Sequence, residues 1–395
     1  MPKKSSKLSI IIHYSEIGLK KNNRPYFEKK FISNIVNHIK DLKYDNIRLI
    51  SARVIIDNIE LNDWKIYKER LKSVMGLSSA LLVIKSNHNI LSIYQAIDTI
   101  LKTETLFNTY RVSTRRHFKG FEKTSIELNI DIGSYIQQKV KKKVSLSNPD
   151  LNIIIEILKD KCYIGYKKII GYGGLPGMTQ EKAISLISSG IDSPVASFEM
   201  IKRGVEVHFV HFHSYPSISK QSIENTKEIV TMLSKYQLNT SFYSIPLLQI
   251  QEKIMEIVDN KYWVIFFRRA MIEISNIIAT KINAIALITG ESVGQVASQT
   301  LSNIRAISEK SDLPILRPLS GMNKDEIVTR AKEIGTYEIS IKPYEDCCSY
   351  FVPIHPETKA KINRINIIEK KLDIKNEILM ALENTEKIKI NFLEE

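Results

Sequence analysis

Hydrophobic positions fall along this chain in two rhythms, runs of strand type and apolar stripes at helical spacing. Leu8 to Tyr14 is an apolar, partly β-branched run that predicts a strand. Pro25 can open a helix, and Phe27, Phe31, Ile35, Val36 and Ile39 recur behind it on one face. Asn46 to Asp57 predicts one returning strand, and residues 64–76 a second amphipathic helix ending at Gly76. This order suggests a small ferredoxin-like unit. Residues 77–170 continue in the same style. Strands are predicted at Ser79–Ile84, Tyr110–Thr114, Asn152–Leu158 and Lys161–Tyr166, and helices at Leu91–Leu101 and around Ile132–Lys142. The glycine-rich stretch GYGGLPGM, Gly171 to Met178, lacks the order of a Walker loop and predicts an interdomain turn.

From Glu181 the pattern changes to strand–helix alternation with longer units. Predicted strands are Ala183–Ile187, Val205–His213, Thr240–Pro246 and Ala284–Thr289. Predicted helices run from Val195 to Arg203 and from Ile223 to Lys235. A third covers Ile250 to Thr280, with a break near Asn260. That alternation predicts a doubly wound α/β sheet, with ligands bound beyond the C-terminal strand ends. Those ends are Ser188–Gly190, His211–His213 and Gly290–Glu291, so their loops should converge. The first of them is flanked by a buried strand and a helix N-terminus, Lys182 to Phe198, KAISLISSGIDSPVASF. Small residues at Ser188, Ser189 and Gly190 permit a tight turn. Asp192 or Ser193 can cap the helix, and Pro194 fits its first turn. Strand, small-residue loop and helix N-terminus together present N–H groups to an anion such as phosphate or pyrophosphate.

Charge adds a second element. The chain of 395 residues carries a net +14. Residues 1–180 hold 31 Lys and Arg against 16 Asp and Glu, and residues 181–395 hold 26 against 27. The whole excess lies in the front half. A general lysine bias would raise both halves, so a polyanion-binding module joined to a neutral enzyme is the better account. No apolar run approaches a membrane span, no export signal opens the chain, and there are three cysteines. A cytoplasmic, reducing location is expected.

The loop Ser188-Ser189-Gly190-Ile191-Asp192-Ser193 resembles the SGGxDS signature of PP-loop ATP pyrophosphatases. Ser189 departs from it by standing at the first glycine, a cost of order ~1 kcal/mol if the backbone there needs φ > 0. With GGLPG, His211-Phe212-His213, Arg268-Arg269, TGES at Thr289–Ser292, GQVASQT at Gly294–Thr300 and PYEDCC at Pro343–Cys348, the chain resembles the ThiI family of tRNA 4-thiouridine synthases. Glu16-Ile17-Gly18-Leu19-Lys20 with Asn23-Arg24 resembles a further stretch of that family, with Lys21-Asn22 in place of Gly-Lys. The resemblance implies an α+β front half and a PP-loop α/β domain. A ferredoxin-like domain would occupy residues 1–60, a THUMP RNA-binding domain 61–170, a linker 171–180 and the PP-loop domain 181–395.

The resemblance also implies the chemistry. ATP, with Mg2+, would adenylate a tRNA uridine (position 8), and a cysteine persulfide would replace the adenylated oxygen with sulfur. Leu186, Ile187, Ser188, Ser189, Gly190, Ser193, His211, Phe212, Arg268, Gly290 and Gln299 would form the ATP site, with Asp192 positioning phosphates or magnesium. Cys347 or Cys348 would carry the persulfide, Cys348 being preferred because it starts the Cys-Ser-Tyr-Phe segment. Neighbouring Cα atoms stand ~3.8 Å apart, short of the usual ~4.4 Å minimum, so a Cys347–Cys348 disulfide would be strained. Cys162, in a strand pattern, is expected in the core. Three scattered cysteines argue against a zinc or iron–sulfur centre, and no metal site within the protein is expected.

Arg111, Arg115, Arg116, Lys119, Lys139, Lys141, Lys142 and Lys143 are the expected tRNA contacts, acting mainly on phosphates. A helical tail is expected after Lys359, with no rhodanese domain, so a cysteine desulfurase or a persulfide carrier would load the cysteine directly. Some family members also donate sulfur for thiazole synthesis in thiamine production, most of them through a rhodanese domain. Dimerisation is expected from the family. The competing reading is an RNA-binding protein with an inactive nucleotide site, motivated by Ser189.

Overall fold

The computed structural model describes residues 8–343, 351 and 355–393, and the chain divides into two compact units, Met1–Pro176 and Gly177–Glu395. The first unit runs β1 (Leu8–Tyr14), α1 (Arg24–His38), β2 (Asn46–Ile50), β3 (Arg53–Ile59), α2 (Trp64–Lys72), β4 (Leu77–Ser86), α3 (Ile90–Thr103), β5 (Thr109–Arg116), α4 (Ser125–Val140), β6 (Lys143–Val144), β7 (Leu151–Ile157) and β8 (Cys162–Ile170). Its strands make one sheet in the order β2-β3-β1-β4-β8-β7-β5-β6. Period-two alternation sorts the side chains between its faces. Ile10, Ile12, Val54, Ile56, Ala80 and Leu82 join Phe27, Phe31 and Ile35 of α1 and Tyr67 and Leu71 of α2 in one core. Val112, Ile153, Ile155 and Ile164 join Ile93 and Ile97 of α3 and Leu128 and Ile132 of α4 in another.

The intervening residues Ile11, Ile55, Leu81, Val83 and Tyr163 form a third, smaller core. Side chains from distant strands close it. β3 and β7 stand four places apart in the sheet, about 19 Å if it were flat at ~4.8 Å per strand. Yet Arg53 Nε lies 2.8 Å from Glu156 Oε2, and Arg48 Nη1 lies 3.1 Å from Asp160 Oδ2. The sheet therefore curls until the β2–β3 hairpin meets the β7–β8 turn. Burial alone would raise the Glu156 carboxyl, but hydrogen bonds and charge from His13 and Arg53 hold it down to about 2.

The single strand expected over Asn46–Asp57 is instead this hairpin. Ile50 faces Arg53 across a two-residue turn in which Ser51 and Ala52 have φ of 49° and 63°. Such a turn usually announces itself with Asn-Gly, and Ser-Ala gives no such signal.

The second unit runs β9 (Lys182–Leu186), α5 (Asp192–Lys202), β10 (Glu206–His213), α6 (Gln221–Ser234), β11 (Asn239–Pro246), α7 (Leu248–Ile257), α8 (Trp263–Ile282), β12 (Ala284–Ile288), α9 (Leu301–Ser308), β13 (Ile315–Leu316), α10 (Lys324–Ile334), α11 (Tyr337–Ser340), α12 (Ile362–Glu369), α13 (Lys375–Glu383) and β14 (Glu386–Asn391). The sheet order is β13-β12-β9-β10-β11-β14. β9 to β13 pair in parallel, while β14 pairs antiparallel to β11. The chain steps outward from β9 to β10 and β11, then returns to β12 on the other side of β9. That reversal is a topological switch point, and it opens a crevice beyond the carboxyl ends of β9 and β12. The wholly helical tail expected after Lys359 is corrected: α12 and α13 are followed by β14, which completes the sheet edge. Among the described residues, no helix is long and apolar enough to cross a membrane.

Candidate active site

Residues after β9 build a loop whose hydrogen bonds are mostly internal. The Ser188 N–H donates to Ser193 Oγ at 2.9 Å, the Gly190 N–H donates to Ser188 Oγ at 3.3 Å, and the two hydroxyl oxygens are 3.1 Å apart. α5 then begins at Asp192 with no side-chain cap, leaving first-turn N–H groups available to a ligand. The loop after β12 lies against this helix start. A Cβ at Gly290 would stand 2.7 Å from the Ser193 nitrogen and 2.8 Å from its Cα, so only glycine fits there. Ser189 is buried, its hydroxyl is without a hydrogen-bond partner among the described residues, and its φ is not in the left-handed region. The backbone thus tolerates serine at that position without strain.

A cavity of about 230 Å³ opens at the switch point. It brings together the predicted Leu186, Ile187, Ser188, Asp192, Ser193, His211, Phe212, Arg268, Gly290 and Gln299. Ser189 and Gly190 belong to the loop but not to the cavity wall, and the Gly190 carbonyl accepts from Ser340 Oγ at 3.2 Å. The wall also includes Thr289 and Glu291, from the strand-end motif that the sequence points to without placing them in the ATP site, and Met271, Ile272 and Ile307, which sequence reasoning did not select. Met271 and Ile272 stand three and four residues after Arg268 on α8, so helical spacing from that residue could have found them. Cys347 and Cys348 lie outside the described residues.

His211 is buried; its Nδ1 lies 3.1 Å from the Ile187 carbonyl and its Nε2 3.2 Å from Ser222 Oγ. A carbonyl can only accept, so Nδ1 carries the proton and Nε2 accepts from the Ser222 hydroxyl. Burial pushes the His211 pKa down to about 4, keeping the ring neutral; burial and then the neighbouring His211 push His213 down to about 4 too. At the opposite side Glu291, buried, takes Arg268 Nη1 at 2.8 Å and Arg317 Nε at 2.6 Å. Asp192 is held by Lys324 Nζ at 2.6 Å and Gln295 Nε2 at 3.0 Å. Lys324 was not predicted. It sits in the first turn of α10, where a cation opposes the helix dipole, and that misplacement is the signal that could have marked it. Among the described residues, no group of three or more His, Cys, Asp or Glu gathers to hold a metal.

The expected tRNA contacts differ in their freedom. Arg115, Lys119, Lys139, Lys141 and Lys143 are exposed. Lys139 pairs with Asp98 at 3.3 Å, and Lys142 lies over the Phe107 ring. Arg111 donates to the Leu146 carbonyl at 2.7 Å, and Arg116 Nη1 donates to the carbonyls of Phe121 and Lys123. Arg111 and Arg116 therefore also brace their own loops. Cys162 is buried in the sheet, and burial pushes its thiol up to about 12, as fits a core residue.

Comparison with known proteins agrees with this architecture. Residues 9–80 match the ThiI ferredoxin-like domain, 87–167 the THUMP domain and 178–374 the thiamine biosynthesis protein ThiI. A probable tRNA sulfurtransferase of Finegoldia magna is 39% identical, covering 96% of this chain and 98% of its own. One from Acetivibrio thermocellus is 40% identical with the same coverage. A crystal structure of a 4-thiouridine synthetase–RNA complex with bound ATP superposes with a TM-score of 0.85 at 32% identity, covering 98% of this chain and 100% of that one. A mainly parallel sheet with a small-residue loop and a helix N-terminus at its switch point, joined to ferredoxin-like and THUMP regions, defines the PP-loop class of RNA-modifying proteins. Within that class, the chain belongs to the ThiI family of tRNA sulfurtransferases.

Proposed function

We propose that this protein converts a tRNA uridine, at position 8, to 4-thiouridine at the expense of ATP. The observation that carries the reading is the single cavity at the switch point, which joins an apolar slot, a neutral histidine and an uncapped helix start beside Asp192 and Lys324. Leu186, Ile187, Phe212, Met271 and Ile272 provide apolar surface for the adenine, and the neutral His211 holds the Ile187 carbonyl beside it. The loop from Ser188 to Ser193 and the Lys324 ammonium receive the phosphates. Magnesium suits this arrangement as a companion of the nucleotide, held by Asp192 and phosphate oxygens, and it would neutralise charge on the departing pyrophosphate.

The uridine O4 attacks the α-phosphorus and pyrophosphate leaves, its growing charge met by N–H groups and Lys324. The terminal sulfur of a persulfide on Cys347 or Cys348 then attacks C4, and AMP leaves with the former O4. A second thiol attacks the cysteine sulfur of the resulting disulfide-linked intermediate and releases 4-thiouridine. A cysteine desulfurase or a persulfide carrier supplies the sulfur. On the front half, Arg115, Lys119, Lys141 and Lys143 are exposed cations suited to tRNA phosphates.

The test is incubation with unmodified tRNA, ATP, magnesium, cysteine, a cysteine desulfurase and a thiol reductant, followed by mass spectrometry of the nucleosides. Formation of 4-thiouridine that depends on ATP and on one of the two cysteines is expected. Its absence with a competent sulfur donor would sink the reading.

A further inference from the structure

Glu291 is buried in the loop that follows β12, and three groups share its carboxylate. Oε1 accepts from Arg268 Nη1 at 2.8 Å. Oε2 accepts from Arg317 Nε at 2.6 Å and from the Thr289 hydroxyl at 3.1 Å. Arg268 and Glu291 line the cavity, and Arg317 does not. Arg317 follows β13, and its Nη2 also donates to Ser308 Oγ, at the end of α9, at 2.7 Å. Arg268 is held at one nitrogen only: among the described residues, its Nε and Nη2 have no hydrogen-bond partner.

A carboxylate beside a lone guanidinium tends to take it in a fork, with two parallel N–H···O bonds to its two oxygens. Here Arg317 and Thr289 fill Oε2, so the fork cannot form and the other N–H groups of Arg268 stay available to a ligand. Charge points the same way. Two cations against one carboxylate leave this trio with an unmatched positive charge at the cavity wall, which favours a polyphosphate; without Arg317 the remaining pair would be neutral. We infer that Arg317 is a positioning residue for ATP binding: by occupying Glu291 it keeps the Arg268 guanidinium free to take a phosphate of the nucleotide, and it touches no ligand itself. The inference rests on the thiolation reading above and concerns its nucleotide step.

Titration calorimetry of the full chain with ATP and magnesium, at fixed ionic strength and without tRNA, tests it. Arg317→Met lets Glu291 fork Arg268, and the Kd for ATP should rise by about tenfold or more, the scale of one lost hydrogen bond to a charged group. The amide of Glu291→Gln has a single acceptor oxygen and cannot form the fork. The double variant Arg317→Met/Glu291→Gln also restores the net charge of the trio, so it should bind ATP within about threefold of wild type. Recovery through loss of the partner is a result that a merely structural Arg317 would not give. A Kd unchanged in Arg317→Met, or a double variant as weak as the single one, overturns the inference. Should Arg317→Met not fold with a buried carboxylate short of a partner, the double variant carries the test alone, because a direct contact between Arg317 and ATP would leave it about tenfold weaker than wild type. A wild type that binds no ATP would defeat the functional reading itself, an outcome distinct from a wild type that binds ATP no better than Arg317→Met does.

Discussion

Asp192 and Lys324 are 132 positions apart in sequence and 2.6 Å apart in space. Lys324 is exposed, so the pair should contribute only ~0–1 kcal/mol to folding. Under the proposed function, its role is the charge it offers a phosphate. Lys324→Met is expected to leave the melting temperature within a few degrees of wild type. Pyrophosphate release should fall by roughly 10²-fold or more, the usual cost of removing one such group. A variant that melts early but turns over normally would refute this. His211 makes the opposite case, a residue whose chemistry shows in stability. Its folded pKa, pushed down by burial to about 4, lies below the ordinary ~6.5. Between those values the unfolded chain binds a proton that the folded chain refuses. Stability therefore rises with pH through that window and falls on acidification, by up to about 1.4 kcal/mol per pH unit for this one group. Urea midpoints at pH 5 and pH 7 should differ less in His211→Gln than in wild type; an unchanged difference would show that His211 does not titrate this way. The sequence made His211 and Asp192 visible because both fall at strand or helix ends. Lys324 carried one local sign, a cation set against its own helix dipole, but that sign does not say which distant loop the cation will reach.

Among the elements, those governed by local rules were legible and those governed by a distant partner were not. α5 could be placed from Asp192 and Gly204, and it ends at Lys202 with Gly204 at φ 86°. The break expected near Asn260 falls between α7 and α8. β14 has alternating Lys387, Ile388, Lys389 and Ile390, yet it becomes a strand by pairing with Asn239–Ser244, a partner its own residues cannot name. The β2–β3 hairpin was missed for a different reason, since its turn uses Ser51 and Ala52 where glycine would be at ease. Alanine in the left-handed region costs ~1 kcal/mol or more. Ala52→Gly should therefore raise stability by roughly 0.5–1 kcal/mol, after the entropy that glycine adds to the unfolded chain is subtracted. This would appear as a higher urea midpoint with an unchanged slope. A lower midpoint would mean that the Ala52 methyl packs more usefully than its φ suggests. The hairpin also carries Arg48 and Arg53, which close the curled sheet, so its turn strain is tolerated by a contact formed far along the chain.

At the scale of the molecule, the charge division coincides with the structural one. Residues 177–180 carry no charge, so the first unit holds the whole excess, 31 cationic against 16 acidic residues, and the second is near neutral. Counterion release makes such an excess a salt-dependent affinity, with each phosphate contact adding about −0.7 to −0.9 to the slope of log K against log salt. The cations are not equivalent, however. Arg115 and Lys119 are exposed, whereas Arg116 Nη1 is bound to the Phe121 and Lys123 carbonyls. Arg115→Ala and Lys119→Ala should each reduce the slope for tRNA binding by roughly one contact while leaving thermal stability within ~0.5 kcal/mol. Arg116→Ala should instead destabilise the first unit by about 1–3 kcal/mol, because two carbonyls lose a charged donor. Filter binding from 50 to 300 mM salt, beside thermal melts of the same three variants, checks the division. If Arg115→Ala and Lys119→Ala leave the slope untouched, the basic surface that tRNA meets lies on other lysines of this unit. If Arg116→Ala binds poorly yet melts normally, its guanidinium serves RNA ahead of the fold.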